Sequence, residues 1–334
     1  MTIVDMTKLT RRSDIAALLE NVEACNPKIV GLDVCFDNEG EDYAGNDSLI
    51  DVALRHDNIV YSMKLHDWVN DTIGWTKSIH SFFYEIVDLT EGTTNMPRTL
   101  YDNMKRKVPV CELYEGKQVP SFVAQVCNGY AGQDLVKGRT KDIKINFSPI
   151  VFHVLSPEEV PDHPELIEGQ IVLVGAMYEE TDRHWTPAGR IAGVELLGYG
   201  IHSIIYSNEI KDIPFAVLCF ISFLIVFLVE VIQHWYLQST SDASNMFVRH
   251  IIGSSYVMSI LTFLFTSVLL GVSFLLFKWY GLSINLAWAL SVITFLSTSR
   301  SMYSALKNFF KARAEKAASK AALAQDTEAA EHPL

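Results

Sequence analysis

TIVDMTKLTRRSDIAALLENVEACNPKIVGLDVCFD, residues Thr2–Asp37, carries the pattern that decides the fold. Thr2–Met6 is a short β-type run. Ile15, Leu18, Leu19 and Val22 then recur at helical spacing, Asn26-Pro27 closes that helix, and Lys28–Phe36 is an apolar run that reads as a buried strand. A helix between two strands is a β–α–β unit, and its crossover predicts a parallel pair. The alternation continues with a helix over Leu49–His56, capped by Asp47 or Ser48, and a strand over Asn58–Leu65. Ser121–Tyr130 reads as a helix, Lys144–Ile150 and Gly169–Tyr178 as strands, and Ala192–Ser207 as the last helix before the composition changes. The expected class is α/β, with a mixed, mostly parallel sheet flanked by helices over residues 1–210.

The whole chain, 334 residues with a formal net charge of −12, has a positive mean hydropathy of +0.17. Residues 1–212 hold 19 Lys+Arg against 33 Asp+Glu, and residues 213–334 hold 8 against 6, so the excess of −14 in the first part is offset by +2 in the second. Apolar and acidic material are therefore segregated. The acidic field excludes a simple nucleic-acid binder, and the composition excludes a disordered or collagen-like chain.

Three apolar segments occupy the second part, at about 213–236, 256–277 and 282–300. A bilayer core about 30 Å thick takes roughly 20 helical residues, so three transmembrane helices are expected across 211–303, with the lipid bilayer as a partner. Trp235, Tyr236, Tyr256, Trp279 and Tyr280 stand at their ends, where amphipathic rings favour the interface. Arg300, Lys307, Lys311, Arg313, Lys316 and Lys320 follow the third segment, which predicts a cytoplasmic helical tail over 304–334. An odd number of crossings then puts the acidic domain outside the cytoplasmic membrane. The first 25 residues hold no apolar run suited to an export signal.

The chemistry-bearing candidates cluster in two places. Asp33 and Asp37 flank the end of the second strand and open an acidic loop with Glu39, Glu41, Asp42 and Asp47. Carboxylates at the C-terminal edge of a parallel sheet stand where α/β proteins bind ligands, but the loop lacks calcium-loop spacing, and a solvated acidic loop is the favoured reading. Asp182, His184, Thr186, Pro187 and Gly193 form the second group. Here Asp182 and Pro187 can shape a turn, or Asp182 and His184 can face a ligand pocket together with Asp33. No metal site or cofactor is expected. GxGxxG, Walker and GxSxG patterns are absent, so no catalysis is expected, although carboxylate pairs for glycoside chemistry are a three-dimensional matter. Cys25, Cys35, Cys111 and Cys127 allow either two disulfides or four free thiols. Glu230, acidic and near the end of the first apolar segment, either snorkels to the interface or transmits a signal through the bundle.

The IVGLDVCFD strand with its acidic loop, then KINFSP, then GQIVLVGAMYEETDRHWTPAGRIAGVELLGYGIHSII (Gly169–Ile205), followed by three apolar segments, together resemble the type-two CHASE domain over about residues 2–300. The resemblance implies an extracytoplasmic sensory module of bacteria, responding to an undefined small ligand. It also implies a further membrane helix before the first strand, so such a helix is expected upstream of Met1. Relatives commonly carry a kinase or cyclase at the C-terminus, whereas residues 307–334 are an Ala/Lys/Glu-rich stretch without a phosphate loop. The expected role is a membrane-anchored sensory or signalling-accessory protein whose output comes from a protein partner. The alternatives are a structural or assembly subunit of a cell-envelope complex and a membrane-anchored enzyme.

Overall fold

The computed structural model describes residues 1–97, 103–140, 142–147, 150–214, 216–221, 223, 224, 227 and 255–283. The chain divides into two units, Met1–Ile210 and Lys211–Leu334.

In the first unit the elements run β1 (Thr2–Asp5), α1 (Arg12–Ala24), β2 (Ile29–Leu32), α2 (Tyr43–Arg55), β3 (Ile59–Asn70), β4 (Gly74–Ile79), β5 (Thr90–Thr93), β6 (Lys107–Val108), β7 (Cys111–Tyr114), β8 (Lys117–Pro120), α3 (Phe122–Ala131), β9 (Ile143–Lys144), β10 (His153–Leu155), β11 (Ile171–Gly175), β12 (Arg183–Thr186), β13 (Gly189–Ala192) and α4 (Gly193–Ile205). Six strands pair in parallel in the order β10-β1-β11-β2-β3-β5. The β–α–β reading of the first 36 residues holds, but β1 and β2 are not neighbours: β11 lies between them and pairs with both. Periodicity reports the strands and the crossover, not what is later threaded between them.

Alternation along each strand builds two cores. Ile3, Ile29, Val60, Ile171 and Leu173 pack on one face with α3 and α4. Val4, Val30, Leu32, Ile59, Tyr61, Val172 and Val174 pack on the other with α1 and α2. Both faces being covered explains why these strands read as unbroken apolar runs. β3 outlasts this sheet: Lys64–Asn70 pairs antiparallel with β4, which joins the β7–β8 hairpin.

Two expectations change. The helix after the acidic loop begins at Tyr43, and Asp42 is its cap, accepting from the backbone N–H of Gly45 at 3.1 Å. Asp42 also accepts from the N–H and hydroxyl of Ser13, a partner 29 residues away that no local pattern displays. Of the strand expected over 144–150, residues 148 and 149 lie outside the described residues; Ile143–Lys144 forms β9, which pairs with β6 and bridges Ile210 through Lys144, and an edge strand of the large sheet is β10. All five cysteines are free thiols.

In the second unit β14 (Lys211–Asp212) pairs in parallel with β15 (Leu282–Ser283), which follows α5 (Ser255–Tyr280), a helix of 26 residues. Side chains are described on α5 only at 267, 268 and 270–280. Among the described residues no helix is long and apolar enough to cross a membrane. Large apolar side chains are nevertheless exposed there, including Phe220 at 66%, Phe223 at 58%, Val268 at 62% and Phe274 at 63%. Most of the first and third expected spans, Glu230 and the tail over 304–334 lie outside the described residues.

Candidate functional site

Because all six central strands are parallel, their C-terminal ends share one edge, and a cavity of about 550 Å³ opens there. Its wall includes Met6 and Thr7 after β1, Ala176 after β11, Asp33 after β2, Ser62 and Lys64 of β3, and Thr94 after β5. Asp182, His184 of β12, and Gly193 and Leu197 of α4 close the side. This is the position at which open α/β sheets take ligands.

Register puts the polar groups on one face. Leu32 pairs with Tyr61 and Val174, so Asp33 stands level with Ser62 and Gly175. Since Leu32 and Tyr61 point toward α1 and α2, Asp33, Ser62 and Lys64 point toward α4 by the two-residue period. Glycine at 175 makes the approach possible, because a Cβ there would lie 2.8 Å from Val194 and 3.3 Å from Asp33 Cβ. Gly193, the first residue of α4, is under the same constraint from Asp182, whose carboxylate fills the space a Cβ would need.

The electrostatics centre on Asp33. Removal from water, and then the negative charge of Asp182, push its carboxyl up to about 7, against the opposing pull of Lys64 and His184. Asp182 Oδ1 lies 3.5 Å from His184 Nε2. Burial also raises the Cys35 thiol to about 11, which makes it a poor nucleophile. The loop over the mouth is tied down by Asp5, which accepts from Thr7 and from the N–H of Met177 at 3.0 Å, and by the Thr7 hydroxyl, which accepts from the N–H of Tyr178.

Of the residues expected at a site, Asp33, Asp182, His184 and Gly193 meet in this cavity. Asp37 does not. It is exposed and accepts from the side chain of Asn38. The acidic loop instead wraps Arg12, whose guanidinium donates to Asn46 Oδ1 and the Asn38 carbonyl and lies 4.8 Å from the Phe82 ring centroid. Thr186 and Pro187 are not in the cavity wall either. Thr186 and Gly189 pair across the β12–β13 hairpin, with Pro187 in the turn, and the Thr186 hydroxyl donates to the Gly189 carbonyl at 2.8 Å while accepting from the Ala188 N–H. Among the described residues no cluster of three or more His, Cys, Asp or Glu side chains is arranged to hold a metal.

Sequence reasoning missed Ser62, Lys64 and Thr94. Their only signal is position, since Ser62 and Lys64 lie on β3, which pairs with β2, and Thr94 follows β5, which pairs with β3, and strand adjacency is not written locally. A second polar cluster also went unread. Buried Glu91 accepts from the Ser81 N–H at 2.9 Å and pairs with His80 Nδ1, while His80 Nε2 lies 2.9 Å from Ser78 Oγ and the ring stacks on Tyr84. It ties β4 to β5 outside the cavity.

Comparison with curated proteins and with solved structures finds no match. The family model of the CHASE2 domain matches residues 6–232, well over half of the chain and ending inside the first apolar segment. The chain therefore belongs to the CHASE2 family of extracytoplasmic sensory domains, as its ordered motifs led it to be read.

Proposed function

We propose that this chain is a membrane-anchored sensor or signalling accessory, in which residues 1–210 bind a small ligand outside the cytoplasmic membrane and a separate protein supplies the output. The observation that carries this is the dual position of α4. Its first turns, Gly193 and Leu197, are part of the cavity wall, and its last residue, Ile205, precedes the first apolar segment by only a few residues of sequence. A ligand that favours one placement of α4 over another shifts that equilibrium by its differential affinity. The exposed apolar side chains of the second unit suit a lipid environment, and the hydropathy of the three segments supplies the anchor. The basic tail lies inside, and no step requires chemistry by the chain itself.

Native mass spectrometry of the full chain in detergent micelles tests the sensory reading. Wild type should retain a small molecule that Leu197→Trp, which puts an indole where the cavity wall has a smaller side chain, does not retain. Identical spectra, with no bound small molecule in either, would remove the sensory reading. Retention of the chain in carbonate-washed membranes checks the anchor. A second reading, docking within an envelope complex, is favoured by the exposed Trp68, Val69 and Ile73 on and beside the β3–β4 ribbon; stoichiometric co-purification with envelope proteins, lost on Val69→Asp, would support it.

A further inference from the structure

We infer that the cavity at the sheet edge takes a small zwitterion of the α-amino-acid class, with its ammonium between Asp33 and Asp182 and its carboxylate at Lys64. This rests on the sensory reading above and names the ligand's chemistry.

The argument begins with the separation of charge along the wall. Asp33 and Asp182 line the same cavity, and the negative charge of Asp182 pushes the Asp33 carboxyl up. Lys64 stands two residues beyond Ser62 on β3, and Ser62 is level with Asp33, so the cation is displaced along the strand direction from Asp33. Ser62 lies between the two ends. It is 1% exposed and it lines the cavity. A serine hydroxyl both donates and accepts, and a ligand carboxylate reaching for Lys64 accepts from it. Leu9, Met96 and Leu197 provide the apolar surface for a side chain.

Other ligand classes fit less well. A phosphate or dicarboxylate meets Asp33, Asp182 and Glu179, all in the wall, and is repelled. A divalent cation lacks its ligand set among the described residues and meets Lys64. A simple amine satisfies the carboxylates and leaves Lys64 unanswered.

Binding should also move a proton. The groups facing Asp33 are Asp182 and His184 from the β12 side, Lys64 from β3 and Cys35 along its own strand end. An ammonium placed against Asp33 outweighs the repulsion from Asp182 and ionises it, so at pH 7 a fraction of a proton leaves on binding.

The test is calorimetry and thermal shift on the full chain in detergent micelles, with the common L-α-amino acids offered singly and each compared with its N-acetyl derivative and its methyl ester. The expected result is that at least one amino acid binds, that both derivatives of it bind at least about tenfold more weakly, and that heats in two buffers of different ionisation enthalpy report proton release. Lys64→Met should abolish the preference for acid over ester. Lys64 is exposed, so this variant folds. Asp33→Asn should abolish both proton release and the preference over the N-acetyl form. Equal affinity for the ester or the N-acetyl form in wild type overturns the assignment. So does the absence of amino-acid binding when mass spectrometry finds another molecule in wild type that Leu197→Trp lacks, an outcome that leaves the sensory reading standing. Absence of both overturns the two together.

Discussion

The carboxylate of Asp182 occupies the space that a side chain at Gly193 would need, so the turn before β12 and the first turn of α4 are fitted to each other through a missing methyl group. Alanine at 193 would gain up to about 1 kcal/mol of helix propensity and meet an overlap that costs about 1–3 kcal/mol if nothing moves. Asp182 is partly exposed, so it can swing aside, and the net change in stability should stay within about 1 kcal/mol. The informative readout is Asp33. With Asp182 displaced, one of the two causes holding that carboxyl near 7 is removed, and the pH midpoint of Asp33-linked melting in Gly193→Ala should fall below the wild-type midpoint.

Asp33 makes the first unit sensitive to pH in a defined direction. Its folded-state value, about 7, lies above the ordinary carboxylate value, so ionisation opposes folding. The penalty is nearly absent below pH 4, grows between about 4 and 7, and is complete above 7. Asp33→Asn should therefore stabilise the protein at pH 8 by as much as about 4 kcal/mol, and by less than about 1 kcal/mol at pH 4. Melting curves of the full chain across this range check it; a gain that is equal at both ends would show that Asp33 is not held protonated.

Thr186 separates a structural role from a ligand role. Its hydroxyl makes two hydrogen bonds inside the β12–β13 turn, so Thr186→Val should cost about 1–2 kcal/mol. The affinity for whatever the cavity holds should change little, because Thr186 is not in the wall. A selective loss of binding without loss of stability would return Thr186 to the site.

The Glu91 cluster predicts a larger loss. Glu91→Ala strands the Ser81 N–H and one nitrogen of His80, at a cost of about 2–3 kcal/mol. His80→Phe keeps the stacking on Tyr84 and should cost less. Thermal melting that ranks the two the other way would contradict the tie between β4 and β5.

Legibility in the sequence followed the range of each interaction. The strands β1, β2 and β11 and the helices α1, α3 and α4 were readable because burial on both faces of a parallel sheet imposes long apolar runs and helical periods. Asp33, Asp182, His184 and Gly193 were readable because strand ends and helix starts are where the C-terminal edge of an α/β sheet lies. The grip of Asp42 on Ser13, the packing of Arg12 beneath the acidic loop, and the meeting of Lys64 with Asp33 were not. Each joins residues far apart in sequence through strand order, which has no local signature.

The insertion of β11 between β1 and β2 has a consequence for how the domain comes into being. Both strand partners of β1, β10 and β11, come after residue 152, and the seam between β1 and β2 can close only when residues 171–175 arrive. Loop closure over such a distance is slow, and until it happens both strands show unpaired backbone edges. A chain stopped before Ile171 should be a substrate for proteases rather than a smaller sensor, which makes assembly of the cavity and completion of the sheet a single event.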